Sequence, residues 1–353
     1  MFWLILLTGI FFRLYNLGLA SYQIDEINIV RDAVQAPTAV TIWNTELDRF
    51  TWYHRLPLTM MAIHLFNNWF GTGGPQHPSE FIARLPFTLI GILALPIFYG
   101  LGRRLAGVRT GLWAMALACL STFQIFYSRE AYDYSLLTCL TAGVLWAGLE
   151  ILEAIRTRER FPWAVVAAYN ILATLLLFTH LSGLITLAMW CVVLAVMLLM
   201  NKPTRSFGKF VPAVVALGLP YIFFLPFLWK LLFGGWVDSD SGAMVDRIRS
   251  TILADLLGRM GWGQAWWALL PFVAALAFGI WFALRKGTKN RDLAIALLVH
   301  LAVGFVVQAW MLRVARFEIR YFAAIQPTLL LLSQSEWHRW EPCSPRGFRK
   351  SGR

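Results

Sequence analysis

Charge is scarce in this chain. Of its 353 residues only 14% are Asp, Glu, Lys or Arg, against about 25% in a soluble domain. Hydrophobic residues make up 58%, and the mean hydropathy is +0.60. These values exclude an ordinary soluble globule and a disordered protein. Cysteine is scarce as well. Of the four present, Cys119, Cys139 and Cys191 fall inside apolar runs and Cys343 lies in a basic tail, which excludes a small disulfide scaffold. There is no Walker P-loop, no zinc-type Cys/His spacing and no HExxH, so ATP is not indicated as an energy source. Gly102-Arg103-Arg104 and Gly71-Thr72-Gly73-Gly74 read as turns rather than nucleotide loops. No repeat, heptad or low-complexity tract is visible.

Long apolar runs are what the chain does have. Segments near the ~20 residues needed to cross a bilayer recur along most of its length. Spans are expected at about 2–19, 82–102, 110–127, 135–153, 163–179, 183–200, 211–232, 264–284, 293–312 and 321–333. The fold class is therefore all-α: a polytopic membrane protein of about ten transmembrane helices. Seventeen Trp and 26 Phe fit it, because aromatic rings settle at membrane interfaces.

A net charge of +12 could suggest nucleic-acid binding, so the distribution of that charge decides. With charges near a span end counted to the adjacent loop, one alternating set of loops, with the tail, holds 18 basic residues and six acids; the other holds 12 basic and 13 acidic, and Arg13 is left deeper within a span. The positive-inside rule makes the first set cytoplasmic. No nucleic-acid partner is implied. The count also bears on residues 56–70, a short apolar stretch carrying His64, Asn67 and Asn68. If they crossed, every later Arg cluster would face outward, so they are expected to lie at the outer interface.

One transmembrane domain, 1–333, then carries an external loop over 20–81 with interfacial helices and a second over 234–262, followed by a basic tail over 334–353. The first span reads as retained, since no basic n-region precedes Gly18-Leu19-Ala20. The last apolar run stops after about 13 residues, short of a comfortable span, which suggests a missing or altered C-terminus.

Chemistry should appear as ionisable groups where a membrane protein would otherwise avoid them. Asp25-Glu26 follows the first span closely; such a pair can supply a general base at the bilayer surface or simply favour a helix N-terminus. His54 and Arg55 open the interfacial helix and could hold a phosphate or a metal, or be merely solvated. Arg129, Glu130 and Asp133 sit among tyrosines in a turn expected on the same side as Asp25. They read as a site lining, or as an interface belt with Arg129 and Asp133 paired one helical turn apart. His180 reads as a structural hydrogen-bonder. Arg313, Arg316, Arg320 and Tyr321 precede the final apolar run on the outer side, where guanidiniums can grip a phosphate. Arg13 could snorkel outward or meet an external acid.

The ordered set Arg13-Leu14-Tyr15-Asn16-Leu17-Gly18, Asp25-Glu26, His54-x-x-Pro57-Leu58, Glu80–Pro86, Tyr99–Gly107, Tyr127–Leu137, Thr179-His180 and Arg320-Tyr321 resembles the GT-C class of lipid-linked-sugar glycosyltransferases. It is most similar to the family 39-like group of protein O-mannosyltransferases and aminoarabinose transferases. The resemblance covers about residues 5–332. It implies Asp25 as the catalytic acid position with Glu26 beside it, and donor contacts at His54, Arg55, Arg129, Glu130, Asp133, Arg320 and Tyr321. His54 stands in His-Arg-Leu-Pro-Leu, a departure from the family's HPPL. The family pattern also extends into further spans or an external domain.

The activity implied is transfer of one sugar from a polyprenyl-phosphate donor to a lipid, glycan or protein acceptor. It would occur on the extracytoplasmic face of the cell's inner or plasma membrane, among membrane lipids, with inversion in a single displacement. No cofactor is certain; a divalent metal ion assists some relatives and is left open here. A lipid or sugar transporter or flippase would explain the spans equally, but should show midplane ionisable groups and internal symmetry. A structural assembly subunit is the third reading. The topology predicts that a cysteine at Gly74 labels from outside and one at Leu105 only after permeabilisation; the reverse pattern would sink it.

Overall fold

The computed structural model describes residues 1–53, 56–71, 78–157, 162–184, 186–188, 190–191, 207–233 and 298. Among them the architecture is helical, with no strand. The spans expected over 264–284, 293–312 and 321–333, most of 183–200 and the external segment 234–262 lie outside the described residues.

Helix α1, Phe2–Leu14, leaves Trp3, Leu4, Leu7 and Phe11 exposed, the surface that lipid would cover. It stops earlier than the expected 2–19. Asn16 takes φ 55°, a left-handed turn that Asn tolerates better than most residues. Helix α2, Ile24–Gln35, buries Glu26, Ile29, Val30, Ala33 and Val34, a stripe at three- and four-residue spacing. Helices α3, Ala39–Tyr53, and α4, Pro57–Phe70, follow. Proline at the start of α4 sacrifices only an N–H that has no intrahelical partner. At 1.5 Å per residue α4 is about 21 Å long, well short of a ~30 Å hydrocarbon core.

Helix α5, Glu80–Ala106, turns through Gly107 at φ 92° into α6, Val108–Leu120. Gly102-Arg103-Arg104 therefore lies in the last turn of α5, and the loop comes after it. Lipid tails are as apolar as Leu, so helices in a bilayer must associate through close packing and polar contacts. The α5–α6 crossing shows this: a Cβ on Gly111 would sit 2.6 Å from the Tyr99 carbonyl. The span expected over 110–127 is broken. At Ser121 the chain bends by 60° into α7, Thr122–Ser128. Helices α8, Tyr134–Thr157, α9, Trp163–Leu177, and α10, Phe207–Phe233, complete the described bundle.

Among the described residues, Glu80–Arg104 and Tyr134–Ile151 are long and apolar enough to cross a membrane, and the bent α6–α7 pair passes the same test only when its two helices are taken together. Phe2–Leu14, Trp163–Leu177 and Leu217–Lys230 are apolar but shorter. The bundle has two chemically different ends. At one, Arg104 pairs with Glu150 and Glu153. At the other, the Leu58 N–H meets the Phe178 carbonyl at 3.2 Å, Trp43 packs on Phe178, and Lys230 donates to the Leu47 carbonyl at 2.8 Å. Helices α2–α4 and the 178–182 turn thus gather at one end.

The loop over 128–134 joins that end through α5. A Cβ on Gly91 would fall 2.5 Å from the Ser128 Cβ and 3.0 Å from the Ser135 Oγ. Gly91→Ala should therefore cost about 1–3 kcal/mol by overpacking and lower the Tm in detergent. A Cβ on Gly218 would meet nothing within 4 Å among the described residues outside its own helix's backbone, so Gly218→Ala should leave the Tm unchanged or higher. Equal Tm values for both variants would contradict the tight α5 contact.

Candidate active site

The acid pair that follows α1 splits into two roles. Gln23 is the N-cap of α2, and Glu26, three positions on, closes a capping box by accepting the Gln23 N–H at 2.9 Å. Its carboxylate has three further donors. Oε1 accepts Arg84 Nε at 2.9 Å and the Ala131 N–H at 2.7 Å, and Oε2 accepts Arg84 Nη2 at 2.7 Å. A carboxylate has about four acceptor positions, and four donors fill them here. Glu26 is buried, so an unpaired charge would be costly there; bidentate geometry with the remaining lone pairs satisfied offsets that cost.

Arg84 extends the contact. Its Nη1 donates to the Ala20 carbonyl at 2.7 Å and the Leu17 carbonyl at 3.4 Å, and Nη2 donates to the Ser21 carbonyl at 3.1 Å. The guanidinium also lies 5.3 Å from the centre of the Tyr22 ring. Tyr22 itself donates to the Pro78 carbonyl at 3.2 Å. Burial raises its phenol pKa above the usual range, with Glu80 adding to the shift and Arg84 opposing it. One ion pair thereby ties α2, α5, the 17–21 connection and the loop at Ala131.

Asp25 is exposed. It stands about 100° around the helix from Glu26, so the Glu26 anchor leaves Asp25 on the solvent side of the first turn of α2.

Arg129 follows α7 and donates through Nη2 to the Tyr15 carbonyl at 2.9 Å and the Asn16 carbonyl at 3.2 Å. The alternative reading, in which it pairs with Asp133, does not hold, because residues 129–133 are turn and bend rather than helix, and the i,i+4 geometry is absent. Its Nε and Nη1 make no hydrogen bond among the described residues. Glu130 and Asp133 are buried. The loop is fixed to α5 by Thr88 Oγ1, donating to the Ser128 carbonyl at 2.8 Å, and by Ser135 Oγ, donating to the Phe87 carbonyl at 2.8 Å. Tyr132 stacks on Tyr134 at 5.0 Å, and Tyr134 lies 5.8 Å from the His180 ring. His180 Nδ1 accepts the Ser182 N–H at 3.1 Å, a local turn bond in keeping with a structural role.

The structure thus brings Asp25, Glu26, Arg129, Glu130 and Asp133 to one end of the bundle. His54, Arg55, Arg320 and Tyr321 lie outside the described residues, as do Arg313 and Arg316. Among the described residues no three His, Cys, Asp or Glu side chains are grouped so as to hold a metal ion. Arg84 is the residue that sequence reasoning missed. Its signal was indirect: Glu26 falls on the apolar stripe of α2, and a buried acid requires a cation nearby.

No family model matches the chain, and no curated protein matches it. Solved structures do. ArnT from Cupriavidus metallidurans in its apo state superposes with a TM-score of 0.56 at 15% identity, over 87% of this chain and 57% of ArnT. The same enzyme bound to undecaprenyl phosphate gives 0.56 at 14% identity, over 88% and 58%. The apo oligosaccharyltransferase of Archaeoglobus fulgidus gives 0.56 at 15% identity, over 94% of this chain and 49% of that one.

The chain shares its fold with ArnT and with this oligosaccharyltransferase, both GT-C glycosyltransferases. The chain spans between about half and three-fifths of the length of these GT-C proteins.

Removing one partner of a buried pair leaves an uncompensated charge and typically costs ~3–5 kcal/mol. Glu26→Gln and Arg84→Met should each lower the Tm sharply in detergent. The Glu26→Gln/Arg84→Met double variant should lose less than the sum of the two. Additive losses would show that the two side chains are not coupled.

Proposed function

We propose that the chain is a membrane glycosyltransferase that moves a sugar from a polyprenyl-phosphate donor to an acceptor hydroxyl at the extracytoplasmic face. The observation that carries this reading is the divided acid pair, in which Glu26 is buried against Arg84 and Asp25 is exposed, on a fold shared with a protein solved with undecaprenyl phosphate bound. The loop charges support this face, since the loops at the Arg104 end of the bundle belong to the more basic set.

In the proposed reaction Asp25 accepts the acceptor hydroxyl proton as the oxygen attacks the anomeric carbon. The bond from that carbon to the phosphate oxygen breaks on the opposite side, and the electron pair leaves with the polyprenyl phosphate. Negative charge on the leaving group needs fixed cations. Arg129 has Nε and Nη1 to offer, and Arg320, Arg55, His54 and Tyr321 are further proposed donor contacts. Glu26 acts as a positioning residue through α2. Glu130 and Asp133, buried in the loop that carries Arg129, are the remaining proposed donor contacts. The acceptor is a lipid, a glycan or a protein.

A positioned carboxylate base commonly contributes ~10²–10⁴-fold. In membrane vesicles supplied with a labelled polyprenyl-phosphate sugar, Asp25→Asn should still insert and bind donor while turnover falls by at least ~10²-fold. Retention of more than about a tenth of wild-type turnover in well-expressed protein, well short of that loss, removes Asp25 as the base. Absence of any sugar transfer by the wild-type chain removes the enzyme reading altogether.

A further inference from the structure

Arg13 sits in the last turn of α1, fully buried and with no acid paired to it among the described residues. Its Nη1 reaches the Gly9 carbonyl at 3.3 Å, its Nη2 reaches the Ala118 carbonyl at 3.1 Å, and its Nε has no hydrogen-bond partner among the described residues. The two outcomes expected from its place in the sequence, snorkelling outward or meeting an external acid, are both absent. A guanidinium held inside an apolar bundle is expensive, and such residues usually mark a functional constraint.

The constraint is visible at Ala118. In an unbroken helix its carbonyl would accept the Thr122 N–H. The chain breaks instead at Ser121, whose N–H reaches Leu117 O at 2.9 Å while its Oγ accepts the Gln124 N–H at 3.3 Å to start α7. The break frees the Ala118 carbonyl, and Arg13 takes it. A cation at a helix C-terminus is also favoured by the helix dipole. The arrangement is reciprocal. Helix α7 runs from the break to Ser128, and Arg129, the next residue, closes the carbonyls at the end of α1. Each element ends on the other's arginine.

We infer that Arg13 is a positioning residue: it holds the α6–α7 break and, through α7, sets Arg129 where the donor phosphate is gripped. The second half of this inference rests on the proposed function; the first does not.

The test has two arms. In protein with its native cysteines replaced, spin labels at Trp113 on α6 and Phe126 on α7, both exposed, report the angle of the break. Arg13→Met keeps side-chain length but removes the donors. Relaxing α7, which is about 10 Å long, by about 30° would move its label by about 5 Å. The distance distribution should therefore shift or broaden in Arg13→Met and stay near wild type in Arg13→Lys.

In transfer assays Arg13→Met should raise the apparent donor KM roughly tenfold with kcat nearly unchanged, and Arg13→Lys should recover part of it. The Arg13→Met/Arg129→Met double variant should be no worse than Arg129→Met alone. An unchanged distance distribution in Arg13→Met overturns the clamp. KM effects that multiply in the double variant overturn its action through Arg129. A normal donor KM in Arg129→Met overturns the phosphate role of Arg129 and with it the second half of the inference, while the distance arm still decides the first.

Discussion

A carboxylate buried beside a bilayer must have its charge answered, and the meeting of Glu26 with Arg84 does so. The same two side chains bond the N-cap of α2, the loop at Ala131 and the carbonyls of Leu17, Ala20 and Ser21. Nothing else described in the molecule joins so many separate segments. Four donors on one carboxylate leave little freedom for the first turn of α2, and that turn carries Asp25. In the proposed reaction, preorganisation of this kind would let Asp25 act as the base without reorganising.

Arginine does comparable work elsewhere at this end. Backbone carbonyls exposed at a helix terminus need donors, and the short turn after α1 exposes several in a row. Arg84 and Arg129 between them take those of Tyr15, Asn16, Leu17, Ala20 and Ser21. Planar guanidinium groups suit the task because each presents several donors in a fixed fork. Lipid contributes little to holding helices together, so these polar ties and the close contacts at Gly91 and Gly111 give the bundle its specificity.

Much of this was legible in the sequence. Apolar runs and loop charges were enough for an all-helical membrane fold, and most described helices fall where a span or interfacial helix was expected. The positions of Asp25 and Arg129 at one end followed from the same alternation of loops. Three features were not legible. The break at Ser121 is hidden because an apolar run looks continuous whether or not its hydrogen-bond ladder is. Helical spacing offers Asp133 as an alternative partner for Arg129, which fails once the segment is a turn. Arg84 and Arg13 bond partners 58 to 105 positions away, and no local pattern encodes such pairings. The periodicity of α2 came nearest, since it puts Glu26 inward and Asp25 outward.

The central claim is that the end of the bundle organised by Glu26 and Arg84 is where the donor's sugar phosphate binds. Electron cryomicroscopy of the protein in lipid nanodiscs, saturated with a polyprenyl-phosphate sugar, tests it most directly. The account predicts the phosphate beside Arg129, with the anomeric carbon facing Asp25 across the space of one hydroxyl group. A phosphate bound at the opposite end, near Arg104 and Glu150, would contradict it.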